Sequence, residues 1–270
     1  MLSVRQISLG AVLAAVAGAQ LVAAQSLSSQ CQSTLASLVT SSDANCLDLS
    51  SLAGLIVTNS NTSVIGPVNN WLTGLCAQPA CNNATLTALV GNVTSGCSSD
   101  LQSLGLSSSQ IAQLPSVVQE FYPTVRKILC LSDTSNNNTL CATETLTNIQ
   151  PYTGTLTPSN IKSLISQIAQ GSIPNVPSNV TCTDCTQAAF DVFNEAFPNL
   201  VTSGVNGTIS NECGASFLSS PQPATVSQTA SNEVSSSTSN SAFTTVVPVG
   251  SLFAVASCSI AVTTVIALLV

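Results

Sequence analysis

The chain contains no histidine, and only four of its 270 residues are Lys or Arg. Without histidine, no Ser-His-Asp triad, Cys-His dyad or His-ligated zinc or haem iron can be assembled. With so few cations there is no basic footprint for nucleic acid or anionic lipid. Aromatics are scarce as well, since Trp71, Tyr122 and Tyr152 are the only Trp and Tyr residues. Phosphate-cradling Gly loops and the G-x-S-x-G nucleophile elbow are missing. So are strictly alternating apolar runs, the mark of half-buried strands. Charged residues make up 6% of the chain, and Ser, Thr and Asn fill the polar positions instead. Such a surface needs another source of solubility.

What is present begins with the two ends. Arg5, the apolar run Leu9 to Val16 and Val22-Ala23-Ala24 form the charged, apolar and small-residue parts of a secretory signal, expected over residues 1–24. Cleavage after Ala19 is the alternative. At the other end, residues 251–270 are uncharged and long enough to span a bilayer, but no Lys or Arg flanks them on the far side, as a type I span would require. Asn240-Ser241-Ala242, an eight-residue spacer and this tail read as a glycosylphosphatidylinositol (GPI) signal with attachment at Asn240. Ser239 and Ser241 are near alternatives. The mature chain, residues 25–240, is then expected to carry three basic and eleven acidic side chains, a net charge of −8.

Of the eleven cysteines, Cys258 lies in the tail that GPI transfer removes. Cys31, Cys46, Cys76, Cys81, Cys97, Cys130, Cys141, Cys182, Cys185 and Cys213 remain, an even number suited to an oxidising compartment and five disulfides. Cys182-Thr183-Asp184-Cys185 is a C-x-x-C, but it has no second pair for zinc and no βαβ setting for redox chemistry. It is expected to serve as a local kink held by two structural bridges. Cysteine spacing also suggests an internal repeat, 31–97 and 130–213, with five cysteines in each half. An odd count per half requires at least one bridge between the halves. N-glycosylation sequons stand at Asn61, Asn83, Asn92, Asn137, Asn179 and Asn206, and occupied ones must face solvent.

The body reads as all-α, a disulfide-stapled helical domain over residues 25–215. Ile161, Leu164, Ile165 and Ile168 fall at i, i+3, i+4 and i+7, with Ser159 as N-cap and Gly171 as stop. Phe190, Phe193 and Phe197 form a second stripe, ended by Pro198. Val117, Val118, Phe121, Val125, Ile128 and Leu129 form a third, which Pro123 should kink on its polar side. Segments 47–57, 64–75 and 85–93 are shorter candidates, and a short helix near 140–147 should break the long loop 131–160. Fourteen of the 27 residues from Ser219 to Thr245 are Ser or Thr. Residues 216–240 are therefore expected to be a disordered, O-glycosylated stalk, with 241–270 a discarded propeptide.

Candidate chemistry is thin. Asp184, Asp191 and Glu195 could be put forward as a glycosidase carboxylate cluster, but helical geometry places Asp191 and Glu195 opposite the Phe stripe, on a solvated face. Trp71, flanked by Val64, Ile65 and Leu75, reads as a core anchor. Arg126 and Lys127 read as surface cations paired with nearby acids. No catalytic, cofactor-binding or metal-binding residue is assigned, and no cofactor is expected.

Segments 41–57 (SSDANCLDLSSLAGLIV), 67–81 (PVNNWLTGLCAQPAC) and 121–150 (FYPTVRKILCLSDTSNNNTLCATETLTNIQ) resemble a secreted cysteine-rich domain family of mushroom-type and related fungi, itself of unknown function. The resemblance covers roughly residues 30–215. It implies a helical, disulfide-stapled fold at a fungal cell surface, attached to the outer leaflet of the plasma membrane by GPI or transferred to wall glucan. Two functions fit. One is a structural or interaction glycoprotein without catalytic activity. The other is a module binding a lipid, sterol or haem in an apolar cavity near Trp71 or Phe190.

Overall fold

A computed structural model describes residues 27–52, 62–103, 105–169, 176–201 and 203–231. The expected signal and propeptide, Asn61 and Asn240 lie outside these residues. The described chain is mostly helical: α1 (Ser29–Val39), α2 (Ile65–Ala77), α3 (Asn83–Gly96), α4 (Ser98–Ser103), α5 (Ser108–Leu129), α6 (Cys141–Thr153), α7 (Pro158–Ala169), α8 (Ser178–Thr181), α9 (Asp184–Ala196), α10 (Ser203–Cys213) and α11 (Ala215–Ser219). Two 3₁₀ turns, Ser42–Leu47 and Leu49–Leu52, follow α1.

Local chemistry starts these helices where hydroxyl and amide side chains can accept the first free backbone N–H groups. Ser28 caps α1, Asn82 caps α3 and Thr183 caps α9. Ser107 and Gln110 form a reciprocal capping box at α5. For α7 the cap is Thr157, whose hydroxyl accepts from the Asn160 backbone N–H, and not Ser159, because the helix begins one residue earlier at Pro158. Helix α5 contains both Pro115 and Pro123 and still continues to Leu129.

The main core gathers around α2. Val68, Trp71, Leu72 and Leu75 fall on one helical face and pack with Leu129, Leu140, Ala142, Leu146, Leu156 and Ile161. Each large apolar side chain of this kind contributes roughly 1.5–3 kcal/mol of transfer free energy on burial. Leu164 packs against this core from α7. A smaller cluster, Leu38, Ala44 and Leu89, joins α1 to α3. There Gly96 matters: a Cβ in its place would lie 2.0 Å from Thr34 Oγ1 and 2.6 Å from Thr34 Cβ. That close approach accompanies the Cys31–Cys97 bridge, whose Cα atoms are 4.4 Å apart.

All ten expected cysteines are paired: Cys31–Cys97, Cys46–Cys81, Cys76–Cys130, Cys141–Cys185 and Cys182–Cys213. Cys76–Cys130 is the bridge between the halves that the odd count demands. The two Cys of the C-x-x-C belong to separate bridges, as expected of a structural kink. Connectivity does not repeat, however. The two bridges within the first half are nested, whereas those within the second overlap in sequence.

The fold departs from expectation in two places. Residues 131–140 form a hairpin, β1 (Leu131–Asp133) and β2 (Thr139–Leu140), so the fold is not purely helical. Asn137 and Asn138 close its turn with φ of 52° and 56°, a left-handed conformation that Asn tolerates better than most residues. The second correction concerns residues 216–231, which composition assigns to the stalk. They include all but the first residue of α11 and the whole of β3 (Val226–Gln228), and β3 pairs antiparallel with β1 to give the order β2-β1-β3. Phe217 and Val226 are buried. A short strand laid on an existing one gains its backbone hydrogen bonds from the partner and needs few apolar side chains of its own. Composition alone therefore misplaces the boundary; residues from 232 onward lie outside the described chain.

Candidate functional site

Helix α9 carries Asp184, Asp191 and Glu195. It is enclosed on several sides. Cys185 and Ala188 pack with Leu131 and Val226 of the sheet, and Phe190 packs with Ile209 and Phe217. The Phe197 ring, just past the helix, stacks on Phe121 of α5 with centroids 4.4 Å apart, and Phe193 leans on it at 5.4 Å. Glu195 is exposed, but Asp191 is half-buried, and its Oδ2 is enclosed with no hydrogen-bond partner. Burial raises the Asp191 carboxyl above the ordinary aspartate range. Asp184 sits apart, exposed and accepting the Thr225 hydroxyl at 2.6 Å. The three carboxylates have three different environments.

Arg126 departs most from expectation. It is 3% exposed rather than on a polar face. Its Nη2 donates to the carbonyls of Gln78 and Ser231, with Leu75 O at 3.5 Å, and its Nε is buried without a partner. The reason is the end of α2, whose last carbonyls have no helical partner and carry the negative end of the helix dipole. A guanidinium there satisfies several acceptors at once. Ser231 completes the arrangement: its N–H donates to Cys76 O and its hydroxyl to Ala77 O and Gln78 O. Thr229 donates both its N–H and its hydroxyl to Cys130 O. The chain after β3 is thus fastened to both sides of the Cys76–Cys130 bridge. Lys127 is exposed, as expected.

Trp71 is the core anchor anticipated, 4% exposed, with its indole N–H donating to Leu47 O at 2.8 Å. Trp71 and Phe190, the places where an apolar ligand cavity is expected, are each packed among buried apolar side chains. An open cleft of about 350 Å³ lies elsewhere, across the Cys46–Cys81 bridge, and its lining is mainly polar, including Ser42, Asp43, Asn45, Gln78 and Asn82.

One cluster is not apparent from the sequence. Ligand atoms of Asp133, Glu144 and Cys185 lie within 4.8 Å of one another. Cys185 is in a disulfide, so it offers no thiolate. Asp133 Oδ1 already accepts from the Ser135 N–H and hydroxyl, and Glu144 Oε2 from the Asn136 amide. These bonds brace the hairpin turn. Sequence separation hides the cluster, because no alternating apolar run signals the hairpin that brings Asp133 to Glu144.

The sequon asparagines Asn83, Asn92, Asn137, Asn179 and Asn206 are all exposed. They lie on α3, the hairpin turn, α8 and α10, so glycans could be borne on several separate elements. The chain matches no protein-family model, no curated protein and no solved structure.

Proposed function

We propose that this protein is a GPI-anchored cell-surface glycoprotein of fungal type, with a structural or interaction role and no catalytic activity. The observation that supports it most is the complete pairing of ten cysteines in a domain whose five described sequon asparagines are all exposed. Such pairing belongs to an oxidising compartment, and glycans would supply the solubility that a surface so poor in charge lacks. The apolar residues 251–270, preceded by Asn240-Ser241-Ala242, supply the anchor signal. The apolar side chains packed around Trp71 and Phe190 favour this role over that of a lipid, sterol or haem carrier.

The anchor is tested by treating intact cells with a phosphatidylinositol-specific phospholipase or a β-glucanase. Release by the phospholipase places the protein on the membrane, and release by the glucanase places it on the wall. Release by detergent alone refutes the GPI reading. Glycosidase removal of N-glycans should lower the apparent mass, and Asn→Gln variants at the five described sites identify which are occupied.

A further inference from the structure

The open cleft across the Cys46–Cys81 bridge, about 350 Å³ in volume, has two polar walls. That volume is at the low end of ligand pockets, which run from about 300 to 1,000 Å³. Ser42, Asp43 and Asn45 come from the first 3₁₀ turn, whereas Gln78, Asn82 and Thr85 come from the end of α2 and the start of α3. Both walls are fixed by bonds made behind them. The Cys46 and Cys81 Cα atoms are 5.1 Å apart, and the Cys81 N–H donates to Tyr122 Oη at 2.9 Å. The Gln78 carbonyl accepts from Arg126 and Ser231. Leu47 O, next to Cys46 in the chain, accepts the Trp71 indole N–H. A ligand entering here has little backbone to order, which removes part of the usual cost of binding.

The lining side chains are also unengaged. Hydroxyls elsewhere in this protein commonly turn back on their own helix: Thr34, Ser37, Thr73 and Thr87 each donate to a carbonyl three or four residues earlier. In the cleft, the Ser42 and Thr85 hydroxyls, the Asn45 and Gln78 amides and the Asp43 carboxylate have no hydrogen-bond partner among the described residues. Asn82 uses only its Oδ1, which accepts the Thr85 N–H at 2.9 Å, and leaves Nδ2 open. All of these residues are exposed except Thr85, which is half-buried. Donors and acceptors therefore converge from both walls, and bulk water is their present partner.

We propose that this cleft binds a neutral oligosaccharide, which rests on the interaction role proposed above and specifies its ligand. Asp43 is the only ionisable group among the lining residues, and a lone carboxylate repels phosphate, sulfate and carboxylate ligands. An apolar ligand would cover amides and hydroxyls without pairing them, at a cost for each. A chain of sugar rings avoids both penalties. Its neighbouring hydroxyls both donate and accept, and a primary amide offers a donor and an acceptor side by side to match them. The Asp43 carboxylate accepts from such hydroxyls as well. Pro79, Ala80 and the disulfide provide a small apolar surface for the C–H face of a ring. No aromatic side chain lines the cleft among the described residues, so binding is weak for a single site and gains strength from many copies on one surface. A wall polysaccharide and the N-glycan of a neighbouring glycoprotein share this chemistry.

The test uses the full-length protein, purified in detergent with its disulfides intact. Laminarihexaose, chitohexaose and a released oligomannose N-glycan are the probes; the first two represent wall polymers and the third a neighbouring glycoprotein. Saturation-transfer NMR titrations should give a millimolar dissociation constant for at least one of them, and which one binds identifies the source. Failure of all three to bind at millimolar concentration overturns the proposal. Asn45→Ala combined with Gln78→Ala removes two amides that hold nothing else in the fold. Tm should stay unchanged and affinity should fall about tenfold or more. Ser42→Trp, on the exposed rim, should fill the cleft and abolish the signal. Unchanged affinity in either variant at the wild-type Tm overturns the proposal too, and if one variant misfolds the other decides. The two readings fail separately: a chain released by phospholipase that ignores all three sugars keeps its anchor and loses this ligand, whereas release by detergent alone leaves sugar binding untouched.

Discussion

Replacing Cys76 and Cys130 together by Ala tests the claim that a single bridge unites the two halves. The two cysteines are 54 residues apart. Cross-linking positions so far apart removes about 14 cal/mol/K from the unfolded ensemble, or about 4 kcal/mol at 25 °C. The other four bridges do not join the halves and leave no shorter covalent route between them, so this constraint is not duplicated. Under the same model, removing Cys182–Cys213, which spans 31 residues, costs about half a kcal/mol less. Urea unfolding of each paired variant, followed by far-ultraviolet circular dichroism without reductant, gives both the stability and the slope of the transition. The Cys76/Cys130 variant should lose about 4 kcal/mol, and its slope should rise because the freed unfolded chain exposes more surface. A loss below about 1 kcal/mol with unchanged slope would refute the reasoning: the halves would then be joined by packing alone.

Gly96→Ala should destabilise by about 1–3 kcal/mol, since overpacking against Thr34 outweighs a helix-propensity gain of at most about 1 kcal/mol. Thermal unfolding checks it, and Thr34→Gly in the same chain should recover most of the loss. Arg126→Ala removes the charged donor to the Gln78 and Ser231 carbonyls and should cost about 3 kcal/mol; limited proteolysis should then cut the chain between Gln228 and Ser231 faster. The raised Asp191 carboxyl gives a pH test of definite sign. Below the unfolded aspartate value both states are protonated and nothing is lost, but as pH rises the unfolded state releases its proton first, so stability falls. Asp191→Asn should therefore raise Tm at neutral pH and leave it unchanged in acid, below the unfolded aspartate value. Asp100 behaves oppositely, because the Ser28 hydroxyl and N–H donate to it and lower its pKa. Asp100→Asn should lower Tm at neutral pH, and the difference should vanish as pH falls through the lowered value.

Helices with a repeating apolar face are legible in the sequence, because burial imposes the spacing. The stripes on α2, α5, α7 and α9 fall within or at the ends of observed helices. Helix α10 is not legible: its sequence SGVNGTISNEC has two Gly and no continuous apolar face, and it is held by Ile209 and the Cys182–Cys213 bridge. The third strand is hidden for a related reason. Val226 is its one buried side chain, and the rest of its stabilisation comes from β1, far away in sequence. Cysteine parity demands a bridge between the halves but cannot choose Cys76–Cys130. Arg126 is misplaced because adjacency to Lys127 suggests a shared face, whereas neighbouring helical residues point about 100° apart. The Asp191 environment is hidden because the stripe marks only the apolar face of the helix and says nothing of how far each residue outside it is covered.

The strap from Pro221 to Ser231 has a further consequence, one of timing. A ribosome releases residues in order, and every bridged cysteine precedes the strap. All five disulfides can therefore form while β1 still lacks its second partner and Arg126 still lacks the Ser231 carbonyl. A chain halted soon after Cys213 would carry a full set of bridges and remain open along that edge. In this protein, oxidation can be complete before folding is, and the last eleven described residues determine whether the domain is closed.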